Sequence, residues 1–311
     1  MEALYINKCK AFIDFMLLQQ QWSGITKRDV DKWINNFQGL SEDELRLVYK
    51  LLTNIIYFSE KDVTEVLKRG VFECVAYNSV LSAQKTQGFA LSQKALRNIY
   101  EQELKGSCFV PLLDSGAPHE SGNYVTRLLV QQGIVPQDKS MFLNSAIPLL
   151  ISGKIKNLII VDDCVGSGHQ LTDFWETKPA VNIDGEILTL KGLCQKYGVT
   201  ANYLTLFGYE KNIQRLRGEF PDLTIFCVRY LRDKHRVFSD ESYVWDDTTE
   251  RNKALELFKS ITKDVGIPLY GYNGLDFAFI MHQTIPDWSL PAFWKENADW
   301  NLLLRRKNSN D

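Results

Sequence analysis

Much that would give this chain an easy reading is missing from it, and each gap excludes something. There is no CxxC pair. The six cysteines (Cys9, Cys74, Cys108, Cys164, Cys194 and Cys227) are scattered and never fall at metal-ligand spacing with the four histidines. That argues against a zinc site or a disulfide framework, and for reduced thiols in a cytosolic compartment. There is no excess of either charge, since 36 Lys and Arg against 38 Asp and Glu leave a formal net charge of −2. Nothing global therefore draws the chain to nucleic acid or acidic membranes, although a local basic patch is compatible with that balance. There is no long apolar run either: the N-terminal AFIDFMLL is interrupted by Asp14, is too short to span a bilayer, and precedes no small-residue cleavage site. A protein without a membrane anchor is expected. Two nucleotide signatures are also absent. Gly153-Lys154 is followed by Ile155, so no phosphate loop of the GxxxxGK[ST] kind exists, and no GxGxxG opens a helix after a strand.

What remains is a chain of 311 residues, 45% hydrophobic and 24% charged, enough for one large domain or two smaller ones with ample core. Residues 1–104 read as helical. Phe12, Phe15, Met16 and Leu18 share a helical spacing. Thr26, Ser41 (with Glu44 in a capping box), Ser59 and Ser92 each stand where a helix would begin. One of these helices is expected to run through LRLVYKLLTNIIYF. From residue 105 to 311 strands and helices alternate: SCFVPLL, NLIIVDD, ANYLTLFGY, TIFCVRYL and DFAFIMHQ read as strands, and TKPAVNIDGEI reads as a loop. The expected class is α/β, a mostly parallel sheet with helices on both faces and right-handed crossovers, behind an N-terminal helical region.

Residues 157–171, NLIIVDDCVGSGHQL, carry the chemistry. Leu158–Val161 is the aliphatic run of a strand buried on both faces. It ends in adjacent carboxylates, Asp162 and Asp163, which repel each other unless a cation or hydroxyls engage them. The turn through Gly166, Ser167 and Gly168 lets backbone N–H groups gather round an anion, helped by the helix that follows. The aspartates cannot bind that anion, but they suit vicinal hydroxyls or magnesium. A phosphate beside a diol describes a ribose 5-phosphate. An α/β unit that binds nothing remains the plain alternative.

The string resembles the binding signature of type I phosphoribosyltransferases for 5-phosphoribosyl pyrophosphate (PRPP). The resemblance implies a phosphoribosyltransferase-type sheet. It implies Asp162 and Asp163 on the ribose hydroxyls with indirect help from Mg2+, and Val165, Gly166, Ser167, Gly168, His169 and Gln170 around the 5-phosphate. Gly166 and Ser167 stand where threonines are common, and Gln170 replaces a final threonine or serine. These changes remove hydroxyl donors. With the C-terminal string MHQTIPDWSLPAFWKENADWNLLLRR, the chain is similar to the PRTase-CE group, associated with bacterial conflict systems. His282, Thr284, Leu290-Pro291, Phe293-Trp294, Trp300 and Arg305 carry that likeness, while Ile285 before Pro286 and Trp288 depart from it.

By the same resemblance, Ser115 and Gly116 in DSGAPHESGNYVTRLL occupy the place of a pyrophosphate loop, with Arg127 on the helix after it and His119 within it. The basic cluster after TIFCVRYL, with Arg232, Lys234 and Arg236, can neutralise departing pyrophosphate if its strand neighbours the central one. It can equally be a solvated loop or grip a nucleic-acid backbone. His282, Trp288 and Phe293 either cover the core or wall a pocket for the acceptor base. Three functions stay open: a PRPP-consuming effector of anti-phage defence, a non-catalytic PRPP or nucleotide sensor, and a docking subunit of a nucleoprotein assembly. A reverse transcriptase with non-coding RNA, or another defence-system protein, is the partner that the family association suggests, and an oligomer is compatible with the sequence.

Overall fold

Four helix starts in the first hundred residues are set by side chains that close onto the backbone three residues on. The computed structural model describes residues 2–113, 121–183, 185–282 and 284–305. Its first elements are α1 (Glu2–Leu18), α2 (Lys27–Asn35), α3 (Glu42–Thr53), the strand β1 (Ile56–Phe58), α4 (Glu60–Val75), α5 (Tyr77–Thr86) and α6 (Gln93–Lys105). The carboxylates of Asp29, Glu44 and Asp62 each accept, at 2.9 Å, from the backbone N–H of Thr26, Ser41 and Ser59. The hydroxyls of those three residues accept from the carboxylates' own N–H groups in return. Ser92 Oγ accepts from Ala95 N–H. Each such cap contributes about 1 kcal/mol by satisfying donors that a helix start leaves open. One expected helix is too long. It ends at Thr53, and Ile56–Phe58 instead pairs in parallel with Phe279–Met281. β-branched and aromatic residues take the strand form once a distant partner supplies the ladder.

The chain continues through β2 (Ser107–Pro111), α7 (Ser121–Gln131), α8 (Leu143–Ile151), β3 (Asn157–Val165), α9 (His169–Thr172), β4 (Pro179–Ile183) and β5 (Glu186–Thr189). It ends with α10 (Leu190–Tyr197), β6 (Thr200–Tyr209), α11 (Glu210–Glu219), β7 (Thr224–Leu231), α12 (Thr248–Asp264) and β8 (Phe279–Met281). The stretch read as a loop at TKPAVNIDGEI is an antiparallel hairpin, β4 on β5. Gly185 follows β4 at φ +87°, the left-handed conformation that glycine supplies at low cost.

These elements form two compact units, Thr64–Tyr230 and Met1–Val63 with Leu231–Asp311. Position 104/105 lies at the end of α6, within the former. In that unit the sheet order is β2-β3-β6-β7, with β2, β3 and β6 parallel and joined by helical crossovers. β3 is central, and every residue of β2 and nearly every residue of β3 and β6 is buried. Leu158, Ile160, Tyr203, Trp175, Leu193 and Leu216 fill one core cluster, each large aliphatic side chain contributing about 1.5–3 kcal/mol. The class is therefore α/β with a mostly parallel sheet, preceded by helices.

The other unit is built on aromatic residues from both chain ends. Trp33, Phe37, Phe258, Phe293 and Trp300 pack together, with Phe37 centred 4.8 Å from Trp33 and 5.5 Å from Trp300. The indole N–H groups of Trp33 and Trp300 both donate to the Ala292 carbonyl, at 2.7 and 2.9 Å. A charged knot lies beside this core: Lys50 Nζ is 2.6 Å from Glu250 and 2.7 Å from Asp246, and Arg46 is 2.6 Å from Glu250. Among the described residues no helix is long and apolar enough to cross a membrane.

Candidate functional site

The carboxyl end of β3 is where a parallel sheet places ligands, and there the two aspartates sit. Asp162 is 3% exposed and Asp163 4%. Both oxygens of Asp162 carry donors: Oδ2 accepts from the Tyr203 hydroxyl at 2.8 Å and Oδ1 from the Asp163 N–H at 2.9 Å. Asp163 Oδ1 accepts from the Cys164 N–H at 2.7 Å. Burial, then the neighbouring Asp163 charge, pushes the Asp162 carboxyl well above its usual range, and the Tyr203 hydrogen bond works against that rise. Burial, then the Asp162 charge, likewise pushes the Tyr203 hydroxyl up. The arrangement is a pair of carboxyls that cannot both ionise cheaply without a cation or hydroxyl donors.

Tyr203 is a residue the sequence reading missed. Its register partner is Ile160 on β3, so its side chain lies on the Asp162 face and reaches one step further along. A tyrosine inside a strand that reads as buried was the available signal, because a buried hydroxyl needs a partner.

The turn after β3 is held from beneath by α11. Asn212 Nδ2 donates to the Gly166 carbonyl at 2.6 Å, and Arg215 donates to the Ser167 carbonyl. Gly168 has φ +82°, and a side chain there would meet the Leu216 methyls at 2.7 Å. Val165 is buried, His169 is exposed and Gln170 is half-buried. The helix after the turn is shorter than its sequence suggests: α9 has four residues and passes into a π-helical turn, Asp173–Thr177. Few aligned peptides stand behind the turn, so an anion there would rely on backbone N–H groups more than on a helix dipole. Asn212 and Arg215 were also missed, since nothing local to residues 157–171 points to positions more than forty residues on.

Magnesium fits this donor set only in one manner. Among the described residues no group of three or more His, Cys, Asp and Glu could hold a metal ion. Two carboxylates alone suit Mg2+ when substrate oxygens and water complete its shell. Asp162 and Asp163 would then contribute beside a polyphosphate.

The other expected site residues divide as follows. Ser115, Gly116 and His119 lie outside the described residues. Arg127 is exposed on α7 with its guanidinium over the Tyr124 ring at 5.7 Å. β7 borders β6, which separates it from β3. Arg232, Lys234 and Arg236 belong to the unit containing both chain ends. Arg236 is bound to Asp276 at 2.6 Å and to the Gly274 carbonyl at 2.9 Å, while Arg232 and Lys234 are exposed. In the same unit His282 Nδ1 lies 2.9 Å from Ser23 Oγ. Trp288 is buried and stacked on Phe279 at 5.3 Å, and Phe293 is buried against Trp33 at 5.6 Å.

Among protein families, the model named PRTase-CE matches residues 30–306 of the 311. No curated protein and no solved structure matches the chain.

Proposed function

The chain belongs to the PRTase-CE family of phosphoribosyltransferase-like proteins, and on that premise we propose that the end of β3 and the 166–168 turn form a PRPP site. The observation that carries this reading is the pair of buried, mutually repelling carboxyls immediately before a glycine turn at the carboxyl end of the central strand. Asp162 and Asp163 would orient the ribose through its hydroxyls. The N–H groups of the turn from Gly166 to Gln170 would hold the 5-phosphate. Mg2+, when bound with the substrate, would supply neutralising charge on the pyrophosphate. Departure of pyrophosphate from the ribose carbon leaves an oxocarbenium-like centre, so the protein's work is to orient the ring and receive negative charge. Ser115 and Gly116 belong to this proposal as receivers of the pyrophosphate; Arg232, Lys234 and Arg236, whose strand does not neighbour β3, are left out of it. Trp288 and Phe293 are buried core rings and are left out of it, together with His282.

The family's association with bacterial conflict systems supports reading the protein as an effector of anti-phage defence, with a reverse transcriptase and its RNA among the partners to test. One observation favours a sensor over an enzyme: the turn CVGSGHQ has a single hydroxyl side chain and no Lys or Arg. Two measurements decide. Calorimetry with PRPP and magnesium should show binding that Asp162→Asn with Asp163→Asn weakens by at least about ten-fold, roughly 1.4 kcal/mol or more, while far-UV dichroism stays unchanged. Equal affinity in that variant would remove the site. Pyrophosphate release, assayed with candidate bases and RNA, separates enzyme from sensor.

A further inference from the structure

The turn after β3 has a face that no ligand reading explains. Its carbonyls point at α11. Gly166 receives the Asn212 amide, Ser167 receives the Arg215 guanidinium, and Gly168 packs on Leu216. Residues 212, 215 and 216 stand at i, i+3 and i+4, one face of a helix. Three successive turn residues are thus matched, in order, by three residues of a single helical face. Arg215 is itself held in place, because its other nitrogen is 2.6 Å from both Glu219 carboxylate oxygens. That fork takes up the guanidinium charge and leaves it aimed at the carbonyl.

A trans peptide links the direction of each carbonyl to that of the next N–H group, which points the opposite way. The described peptides here are all trans. Holding the Gly166 and Ser167 carbonyls toward α11 therefore turns the N–H groups of Ser167 and Gly168 away from it. The turn carries no lysine or arginine of its own, so any anion bound there depends on where those N–H groups point. Left-handed Gly168 completes the concavity. A loop with two glycines in three residues would otherwise sample many peptide orientations, and ordering it on binding costs affinity.

We infer that Asn212 and Arg215 are positioning residues that pre-set the phosphate-binding amides of Ser167 and Gly168 by clamping the preceding carbonyls. This inference rests on the PRPP reading of the turn and names what makes it competent. Asn212 and Arg215 do not touch the phosphate, and Arg215 acts by geometry because its charge is matched by Glu219.

The test uses the full chain with PRPP and magnesium in calorimetry, together with amide proton–nitrogen spectra of the ligand-free protein. Arg215 is half exposed, so Arg215→Met is a surface change the fold should tolerate. Asn212→Ala alters no charge and reads positioning alone. Each single variant should weaken PRPP binding several-fold, and the pair by roughly ten-fold or more. Arg215→Lys, which keeps one donor for the Ser167 carbonyl, should stay nearer the parent protein. The Ser167 and Gly168 amide resonances should move in the variants before ligand is added, while those of β2 and β6 hold still. If the parent protein binds PRPP and the double variant binds it within about two-fold, the clamp is refuted and the PRPP reading survives. If the parent protein itself shows no PRPP affinity, the PRPP reading falls.

Discussion

Replacing Tyr203 by Phe removes one oxygen from the interior and tests the carboxyl pair directly. The ring stays, so the packing of β6 against β3 is retained and what is lost is the hydroxyl with its 2.8 Å bond to Asp162. A buried carboxylate deprived of a donor costs about 1.5–3 kcal/mol. At about 2 kcal/mol the midpoint of thermal unfolding should fall by about 4–8 °C. The cost should also depend on pH. Burial and Asp163 hold the Asp162 carboxyl above its ordinary 3.8, so the folded state binds this proton more tightly than the unfolded chain does. The stability this contributes is complete below the ordinary value and is lost as pH rises through the raised one. The tyrosine donor opposes that rise, and Phe in its place raises the Asp162 carboxyl further. The deficit of Tyr203→Phe should therefore be small where Asp162 is protonated in both proteins and grow as pH increases. Differential scanning calorimetry of both proteins between roughly pH 5 and pH 9 reads this. A deficit that stays constant across that range would refute a bond from Tyr203 to an ionisable Asp162.

Two further substitutions probe the turn and the charged knot. Gly168→Ala forces a side chain into the left-handed conformation, at about 1–2 kcal/mol, and against Leu216; denaturant unfolding should show that loss, together with weaker PRPP binding. Glu250→Gln leaves Lys50 and Arg46 short of their shared carboxylate and should cost about 3–5 kcal/mol in chemical denaturation. Burial pushes Glu250 up, but the hydrogen bonds from Lys50, the Asp246 backbone and Arg46 together hold it below its ordinary 4.5. Its contribution is thus present above that value and lost as pH falls through the lowered one. The variant's stability should accordingly decline less steeply in acid than the parent's, and an equal slope in the two proteins would contradict the assignment.

What the sequence determined alone is whatever neighbours within a few residues decide. Thr26, Ser41, Ser59 and Ser92 start helices because their side chains reach a backbone group three residues on. The run Leu158–Val161 becomes the central strand because nothing but burial on both faces suits it, and the doubled aspartate with its glycine turn then marks the strand end. Tertiary structure decided the rest. The segment Ile56–Phe58 joined a strand more than two hundred residues away instead of extending α3. Both ends of the chain went into one unit, where Trp33 and Trp300 share a carbonyl. Tyr203, Asn212 and Arg215 reached β3 and its turn from the next βα unit. The division has one physical cause. A cap or a buried strand is selected by forces acting along the local chain, whereas a partner brought in by a crossover depends on the path of everything between. The motif marks the strand end, and the neighbouring strand and helix supply the hydrogen bonds to its carboxyl and its turn carbonyls.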